Sequence, residues 1–228
     1  WEEGKHSKEK IFTADVVMKS PGIPDTAALV VELKAKGISV ISEIEFASAY
    51  TKATIVGITG SNGKTTTAAL TYSILKAGEM NVGLGGNIGK SFAALVSEEE
   101  YENYVLELSS FQLDGIEKFA PHIAVLTNLS PDHLDRYDYQ FDKYVASKFR
   151  ITKNQTANDF FIYDLEDKAT AEWLAKNTIK AQKLPFSLLK ELSEGAYIKN
   201  KNIIIKINNK QLTMPIASLG LQGQHNTK

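Results

Sequence analysis

The sequence predicts an α/β fold centred on a doubly wound, mainly parallel sheet with a phosphate-binding loop (P-loop). Two observations predict it. Apolar segments of strand character alternate with helical segments between residues 53 and 163, which is typical of βαβ units. A glycine-rich turn, residues 60–65 (Gly-Ser-Asn-Gly-Lys-Thr), joins an apolar strand to the following helix. Ligands of such sheets bind at the carboxyl ends of the strands.

Residues 1–45 predict a partial, Rossmann-like N-terminal domain. A strand at residues 14–19 is followed by a loop rich in Pro and Gly, and Asp25 is expected to cap a helix that continues to Lys36. Gly37 ends that helix, and residues 38–41 form the next strand. A strand–helix–strand unit implies parallel pairing. This unit is too small to bury a core of its own.

Residues 46–228 predict a central domain. Its predicted strands are residues 53–59, 81–84, 104–108, 123–127 and 160–163, and its helices are residues 64–76, 89–96, 111–119 and 141–151. Beyond Lys183 the pattern changes, and segments at 197–198, 202–207 and 211–214 predict a small β-meander or hairpin that covers a sheet edge.

Composition excludes several classes of protein and site. The formal net charge is −1, so no basic surface predicts a nucleic-acid partner. The chain has no cysteine, which excludes disulfides and thiolate metal sites. No apolar run approaches the roughly 20 residues that span a bilayer. Because the chain begins at Trp1 rather than Met and ends at Lys228 without a closing element, both ends are expected to be cut from a longer protein.

The glycine-rich turn predicts binding of a nucleoside triphosphate. Its backbone N–H groups and the helix N-terminus favour an anion. Gly60 and Gly63 are expected to let the backbone approach a phosphate. Lys64 would reach the outer phosphates, and the Thr65 hydroxyl suits a magnesium ion. The common pattern has glycine where this chain has Ile58, and a strand–turn–helix without a ligand is the alternative.

Three further strand ends carry polar or glycine-rich segments. Residues 85–89 contain three glycines, which indicate close approach to a ligand or an ordinary turn. Glu107 interrupts an apolar strand, and its buried carboxylate would meet magnesium or a lysine. His133 lies within Asp-His-Leu-Asp, residues 132–135, and would ligate a second metal while a carboxylate orients its ring. A simply satisfied polar histidine is the alternative.

Lys148 is predicted to point inward. Phe141, Tyr144, Val145 and Lys148 follow the spacing i, i+3, i+4 and i+7 of one helix face, whereas Lys143 points elsewhere. An inward lysine near carboxylates and a metal either neutralises charge or loses its proton and carries a modification. A surface lysine with a buried stem is the alternative.

These motifs occur in the order found in the Mur ligases, the ATP-dependent amide-bond ligases of peptidoglycan precursor synthesis. The matching residues are Gly60-Ser61-Asn62-Gly63-Lys64-Thr65, Glu107-Leu108-Ser109-Ser110, Asp132-His133-Leu134-Asp135, Lys148 and Gly223-Gln224-His225-Asn226. The resemblance runs from about Ser20 to the last residue. It also explains why Ile58 stands where the common pattern has glycine, since the phosphate loop of this family is a variant of that pattern. Residues 85–89, 107–113 and 130–137 most resemble the D-glutamate-adding branch. The folylpolyglutamate synthases carry a glycine-rich segment in place of residues 109–113.

The resemblance implies a role for each matching residue. The ATP-binding residues would be Gly60, Ser61, Asn62, Gly63, Lys64, Thr65, Thr66 and Asn226. The metal ligands would be Thr65, Glu107, His133 and Lys148, the last as a carbamate, around two magnesium ions. The catalytic residues would be Lys64, Glu107, His133 and Lys148. The substrate-binding residues would be Ser20, Gly22, Asn87, Ser109, Gln112 and Asp132.

The resemblance also implies the reaction and the partners. A cytoplasmic, monomeric enzyme would add D-glutamate to UDP-N-acetylmuramoyl-L-alanine through an acyl phosphate, with no nucleic-acid or membrane partner. The C-terminal domain that binds the amino acid is absent, so this fragment alone is expected to be inactive. The alternatives are another Mur-type or folylpolyglutamate-type ligase, a non-ligase P-loop ATPase, and a degenerate binding module, against which the intact site residues argue.

Overall fold

The computed structural model of the chain describes residues 2–4 and 6–218. Its α-helices are α1 (Lys8–Ile11), α2 (Ala28–Ala35), α3 (Glu43–Ser48), α4 (Lys64–Ala77), α5 (Phe92–Glu98), α6 (Ser110–Asp114), α7 (Phe141–Phe149) and α8 (Lys168–Lys176). Short 3-10 helices span Leu134–Tyr137, Arg150–Thr152 and Ile216–Ser218. None of the helices in the described part of the chain is long and apolar enough to cross a bilayer.

The strands belong to two sheets. They are β1 (Val16–Met18), β2 (Ser39–Ile41), β3 (Thr54–Thr59), β4 (Val82–Gly86), β5 (Asn103–Glu107), β6 (Ile123–Leu126), β7 (Phe160–Asp164), β8 (Gln182–Ser187), β9 (Gly195–Lys199), β10 (Asn202–Ile207) and β11 (Lys210–Pro215). Strands β1 and β2 pair in parallel. The other nine form one sheet in the order β11-β10-β9-β8-β7-β6-β3-β5-β4.

The large sheet confirms the predicted fold class. In the order of the sheet, all neighbouring strands from β4 at one edge to β9 pair in parallel. Strand β10 pairs antiparallel with both β9 and β11. The predicted meander is therefore present as β9 to β11, but it continues the sheet through β8 instead of covering its edge. Strand β4 follows β3 in the chain but lies two positions from it in the sheet, beyond β5, and β6 lies on the other side of β3. The strand order thus reverses beside β3, where such sheets bind ligands.

The central sheet buries both of its faces because its strands alternate side chains between them. Tyr104 and Leu106 of β5 belong to the larger apolar cluster, which includes residues of α5, α6 and α7. Val105 belongs to the smaller cluster, which includes Ala68 of α4. By the same alternation, Glu107 shares the face that α4 covers.

The N-terminal unit follows the predicted strand–helix–strand order, but its helix begins later than predicted. Ala27 occupies the N-cap position of α2 without a side-chain cap, so the prediction that Asp25 caps the helix is wrong. The Ala27 N–H donates to the Pro24 carbonyl, which places Asp25 inside a turn. Its carboxylate instead pairs with Lys34 at 2.7 Å and with Lys19 at 3.3 Å.

Several central elements also differ from the sequence prediction. Helices α3 and α8 and strand β8 were not predicted. Helix α6 ends at Asp114 rather than at residue 119, because Gly115 follows it and a loop carries the chain to Phe119. Helix α5 begins at Phe92 rather than at residue 89, because the Ser91 side chain caps it. The N-terminal and central units meet at α3, whose Ile44 is packed in the larger cluster.

Candidate functional site

The glycine-rich turn, residues 60–65, connects β3 to α4. Gly63 is the N-cap of α4 with φ 80°, and a Cβ built there meets nothing within 4 Å. The space beside Gly63 is thus open to a ligand. Gly60 has φ 141°, and a Cβ built there would lie 2.0 Å from Thr127 Oγ1. Gly60 is therefore needed for close packing against the segment after β6, a different reason from the predicted approach to a phosphate.

The N-terminal end of α4 carries the predicted anion-binding side chains. Lys64 Nζ donates to the Ser61 carbonyl at 2.8 Å, which keeps the ammonium group over the turn. Asn62 and Thr66 are exposed beside it. The first N–H groups of a helix have no partner within the helix, so the turn presents both the lysine charge and the free N–H groups of α4 on one side.

Glu107 is the centre of a hydrogen-bonded trio. Its side chain is only 2 % exposed, and its Oε2 accepts a bond of 2.7 Å from the Thr65 hydroxyl. Its Oε1 accepts a bond of 2.8 Å from Asn87 Nδ2. Glu107 is the last residue of β5 and is registered with Gly86 at the end of β4, which explains how Asn87 reaches it. Both of these hydrogen-bond donors are neutral, in contrast to the alternative of a buried ion pair with lysine.

Lys148 points inward, as predicted. It is 2 % exposed, its Nζ donates to Thr59 Oγ1 at 3.3 Å, and it lies 5.3 Å from the centre of the Tyr144 ring. Burial, with the positive charge of Lys64 as the next cause, lowers the pKa of Lys148 to about 7. The carboxylates of Asp132, Asp114 and Glu107 oppose that shift. A substantial share of the amine is therefore neutral near pH 7.

Lys143, the comparison residue on the same helix, is half exposed and pairs with Asp138 at 2.6 Å. The helical spacing thus separated the inward lysine from the outward one, and the alternative of a surface Lys148 is wrong.

His133 lies at the margin of this group. It adopts a left-handed backbone conformation with φ 48° before the 3-10 helix Leu134–Tyr137. Its Nε2 lies 3.5 Å from Asp132 Oδ2, and both side chains are about half exposed. Its ring centre lies 5.2 Å from that of Phe111. Within residues 2–4 and 6–218, no three His, Cys, Asp or Glu side chains come close enough to hold a metal, so the predicted ligation by His133 stays a prediction.

Ser109 and Gln112 form a capping box at the start of α6. The Ser109 hydroxyl accepts from the Gln112 N–H at 3.3 Å, and Gln112 Oε1 accepts from the Ser109 N–H at 3.0 Å. Their side chains therefore shape the loop between Glu107 and α6. Whether they also bind substrate stays a prediction.

The loop that contains Ser20 and Gly22 contacts the central domain through Arg136. The guanidinium group donates to the Gly22 carbonyl at 3.1 Å and to the Pro21 carbonyl at 3.4 Å. It also lies 4.5 Å from the centre of the Phe111 ring. The loop of the predicted substrate-binding residues Ser20 and Gly22 and the loop of His133 are thus joined. Asn226, a predicted ATP-binding residue, lies outside the described residues.

Three residues of this site were not singled out from the sequence. Thr59, the last residue of β3, accepts from Lys148 and donates to the Leu108 carbonyl at 2.7 Å. The Tyr144 hydroxyl lies 3.1 Å from Ser61 Oγ. Asn128 contacts the glycine-rich turn. Their position at strand ends was a usable signal for Thr59 and Asn128, whereas Tyr144 resembled an ordinary core residue of an amphipathic helix.

Comparisons with solved structures agree with the fold. A UDP-N-acetylmuramate:L-alanyl-gamma-D-glutamyl-meso-diaminopimelate ligase from Neisseria meningitides superposes with a TM-score of 0.62 and 17% identity, covering 95% of this chain and 71% of that one. A UDP-N-acetylmuramate-alanine ligase from Thermotoga maritima gives a TM-score of 0.55 and 20% identity, covering 98% and 51%.

Curated relatives are much more similar in sequence. A protein of Christiangramia forsetii named UDP-N-acetylmuramoylalanine--D-glutamate ligase is 61% identical over all of this chain and 51% of its own length. A protein of the same name from Bacteroides thetaiotaomicron is 51% identical over 99% of this chain and 51% of its own length. The chain therefore spans about half the length of these curated relatives. Residues 58–228 match the model of the Mur ligase middle domain, and the chain belongs to the Mur ligase family.

Proposed function

We propose that the full-length protein carrying this chain adds D-glutamate to UDP-N-acetylmuramoyl-L-alanine with ATP. Residues 46–228 would be its central ATP-binding domain, and residues 1–45 the end of its UDP-substrate domain. The relatives named for this reaction support the substrates. The observation that carries the chemistry is the contact of Thr65, at the start of α4, with the buried carboxylate of Glu107.

The residues around the glycine-rich turn fit an ATP–magnesium complex. Gly63 leaves open space beside the helix N-terminus, and Lys64 supplies a positive charge there. The Thr65 hydroxyl and the Glu107 carboxylate are oxygen ligands that converge within 2.7 Å, and magnesium prefers one or two carboxylates together with phosphate oxygens. Thr65 and Glu107 would hold the ion, which would supply charge neutralisation to the transferring phosphoryl group.

A second magnesium ion would need ligands from the other side of the site. We assign these to His133 and to Lys148 as a carbamate. The inward position of Lys148 and its pKa of about 7 support this assignment, because only a neutral amine reacts with carbon dioxide. The carbamate would convert a buried cation into an anion and would gain an oxygen ligand from the same side chain.

The reaction brings two anions together. The substrate carboxylate attacks the γ-phosphorus of ATP, and ADP leaves as the acyl phosphate forms. The amine of D-glutamate then attacks the acyl carbon, and inorganic phosphate leaves. Lys64 and the N-terminus of α4 offset the charge on the phosphates. Asn87 orients Glu107, and the capping box of Ser109 and Gln112 holds the loop beside it.

The substrate would enter between the N-terminal and central units. A cleft of about 290 Å³ lies there, and its lining includes Lys19, Phe111 and Arg136. Ser20 and Gly22 would contact the diphosphate of the UDP sugar at the rim of this cleft. Asp132 would order the substrate environment on the opposite side of the cleft. We expect a monomeric enzyme.

Oxygen-isotope transfer tests the proposed chemistry. UDP-N-acetylmuramoyl-L-alanine labelled with ¹⁸O in its free carboxylate is turned over by the full-length protein with ATP and D-glutamate. Attack of the carboxylate on phosphorus places one labelled oxygen in the released phosphate. Unlabelled phosphate would contradict the acyl-phosphate route. Lys64→Ala is the control that should form neither labelled nor unlabelled phosphate.

A further inference from the structure

The segment that follows β6 holds the glycine-rich turn through the backbone and through side chains. The Ser61 N–H donates to the Asn128 carbonyl at 2.8 Å. The Ser130 N–H donates to Ser61 Oγ at 2.9 Å. Thr127 Oγ1 donates to the Asn62 carbonyl at 2.7 Å. These bonds tie the turn to a neighbouring strand, and none of the three residues after β6 has a role in the reaction proposed above.

Asn128 uses its whole side-chain amide on the backbone of a single residue. Its Oδ1 accepts from the Asn62 N–H at 3.1 Å, and its Nδ2 donates to the Asn62 carbonyl at 3.1 Å. Because the side-chain amide is planar, two bonds to one residue fix the orientation of both its N–H and its carbonyl group. Asn62 immediately precedes Gly63, where the backbone turns into α4 with φ 80°.

This pairing decides which backbone groups face a ligand. The Asn62 N–H is bonded to Asn128, and the Asn62 carbonyl is bonded to both Asn128 and Thr127, so neither group is left for a ligand. The N–H groups at the start of α4 have no acceptor within the helix and remain available to an anion. Their direction depends on the peptide that precedes them, which is the peptide that Asn128 holds.

We propose that Asn128 is a positioning residue for nucleotide binding, which sets the Asn62–Gly63 backbone so that the first N–H groups of α4 converge on the phosphates. The proposal rests on the nucleotide site proposed above. Gly60 supports it independently, because a Cβ there would meet Thr127 Oγ1 at 2.0 Å and the Asn128 carbonyl at 3.1 Å. The turn thus lacks a side chain where Asn128 and its neighbour approach it most closely.

The test compares Asn128→Ala with a matched variant, Asn154→Ala, in the full-length protein. Asn154 also makes two side-chain bonds to backbone, to the carbonyls of Glu117 at 2.8 Å and Phe119 at 3.0 Å, but lies elsewhere in the chain. The first measurement is the exchange rate of the Asn62 amide proton in the free protein, by NMR. The second is the Kd of magnesium ADP, by calorimetry, beside the melting temperature of each variant.

Asn128→Ala is expected to speed exchange of the Asn62 proton and to raise the Kd about tenfold, the effect of losing roughly one to two hydrogen bonds. Asn154→Ala should lower the melting temperature without changing either quantity. Unchanged exchange and an unchanged Kd in folded Asn128→Ala would overturn the proposal. So would an equal rise of the Kd in Asn154→Ala, since general destabilisation would then explain it.

Asn128→Leu carries the same test if the alanine variant does not fold. Leucine fills a similar volume but offers neither an acceptor for the Asn62 N–H nor a donor for the Asn62 carbonyl, so slow exchange should be lost as well. Retained protection and an unchanged Kd would overturn the proposal. A wild-type protein that binds no magnesium ADP overturns the proposed function itself, and the Asn62 exchange rate then still decides whether Asn128 fixes the turn.

Discussion

Thr65 at the start of α4 donates a hydrogen bond of 2.7 Å to the carboxylate of Glu107 at the end of β5. The two residues are 42 positions apart in sequence, and the alternation of side chains along β5 brings them together. Val105 packs in the cluster under α4, so Glu107, two residues later, emerges on the same face. A hydroxyl, a carboxylate and a helix N-terminus therefore meet at the carboxyl ends of β3 and β5.

Glu107→Gln is expected to lower kcat of the full-length ligase by at least about 100-fold, because a neutral amide replaces the anionic oxygen ligand in a water-poor site. Steady-state ADP release measures the change. Glu98→Gln is the control, since Glu98 is an exposed partner of Lys90. Retention of more than a few per cent of activity by Glu107→Gln would remove Glu107 from the assigned metal ligands.

Lys148→Ala is expected to be nearly inactive and to regain activity with short carboxylic acids such as acetate or propionate. The acid would occupy the space of the lost side chain and supply the missing oxygen ligand. Turnover is measured against acid concentration at constant ionic strength. Lys143→Ala should keep normal activity and show no response to acid, since Lys143 is paired with Asp138 at the surface. Full activity of Lys148→Ala without acid would refute the carbamate.

Lys148→Met is expected to raise the free energy of unfolding below pH 7 by about 1–4 kcal/mol, because methionine avoids the cost of desolvating a buried ammonium group. The pKa of Lys148 is lowered to about 7 by burial, so between pH 7 and about pH 10 the unfolded chain binds more protons than the native one. The stability of the wild type relative to Lys148→Met should therefore rise with pH over that range.

Urea titrations of both proteins at several pH values, in buffer free of bicarbonate, measure this difference. A stability difference that stays constant from pH 6 to pH 10 would show that the amine of Lys148 keeps an ordinary pKa.

Arg136→Ala is expected to raise the KM for the UDP substrate about tenfold, the effect of losing two hydrogen bonds to the loop of Pro21 and Gly22. The KM for ATP should stay unchanged, because the contacts of Arg136 are with the loop of Pro21 and Gly22 and with Phe111 rather than with the glycine-rich turn. Arg136→Lys should not rescue the loss, since an ammonium group cannot both stack on Phe111 and reach two carbonyls. A rise in both KM values would contradict a role confined to the substrate loop.

Glu45→Ala is expected to cost about 3 kcal/mol of stability, because it leaves three backbone donors, one of them buried, without an acceptor. The Glu45 carboxylate accepts from the N–H groups of Glu117, Lys118 and Phe119 at 2.8–3.0 Å. Urea unfolding monitored by tryptophan fluorescence measures the loss. Glu98→Ala, at an exposed site, should change stability by less than about 0.5 kcal/mol. An equal effect of both variants would show that α3 is not anchored through Glu45.

The parts of the fold that local pattern determines were predictable. Strand β3 and helix α4 are a buried apolar run and a glycine-rich turn before a helical segment, and both have nearly the predicted bounds. Strand β8 was missed because Pro185 and two exposed residues hide a strand whose partner, β7, determines it. Asp25 was a good cap by residue type, but the preceding turn moved the helix start to Ala28.

The residues of the candidate site also divide into those that local sequence pattern predicts and those that tertiary packing determines. Lys148 and Glu107 stood out because each interrupts an apolar pattern, and the structure buries both. Asn128 and Tyr144 did not stand out because their roles depend on how β6 and α7 lie against the glycine-rich turn. That arrangement is a property of the sheet order, which residue spacing alone does not reveal.

The proposed ligase reaction is tested first by ADP release from the full-length protein with UDP-N-acetylmuramoyl-L-alanine and a panel of amino acids. We predict release that depends on D-glutamate and on the UDP substrate together. Release with a different amino acid or acceptor would retain the ligase chemistry and contradict the assigned substrates. Release that ignores every acceptor would contradict the ligase and indicate a plain ATPase.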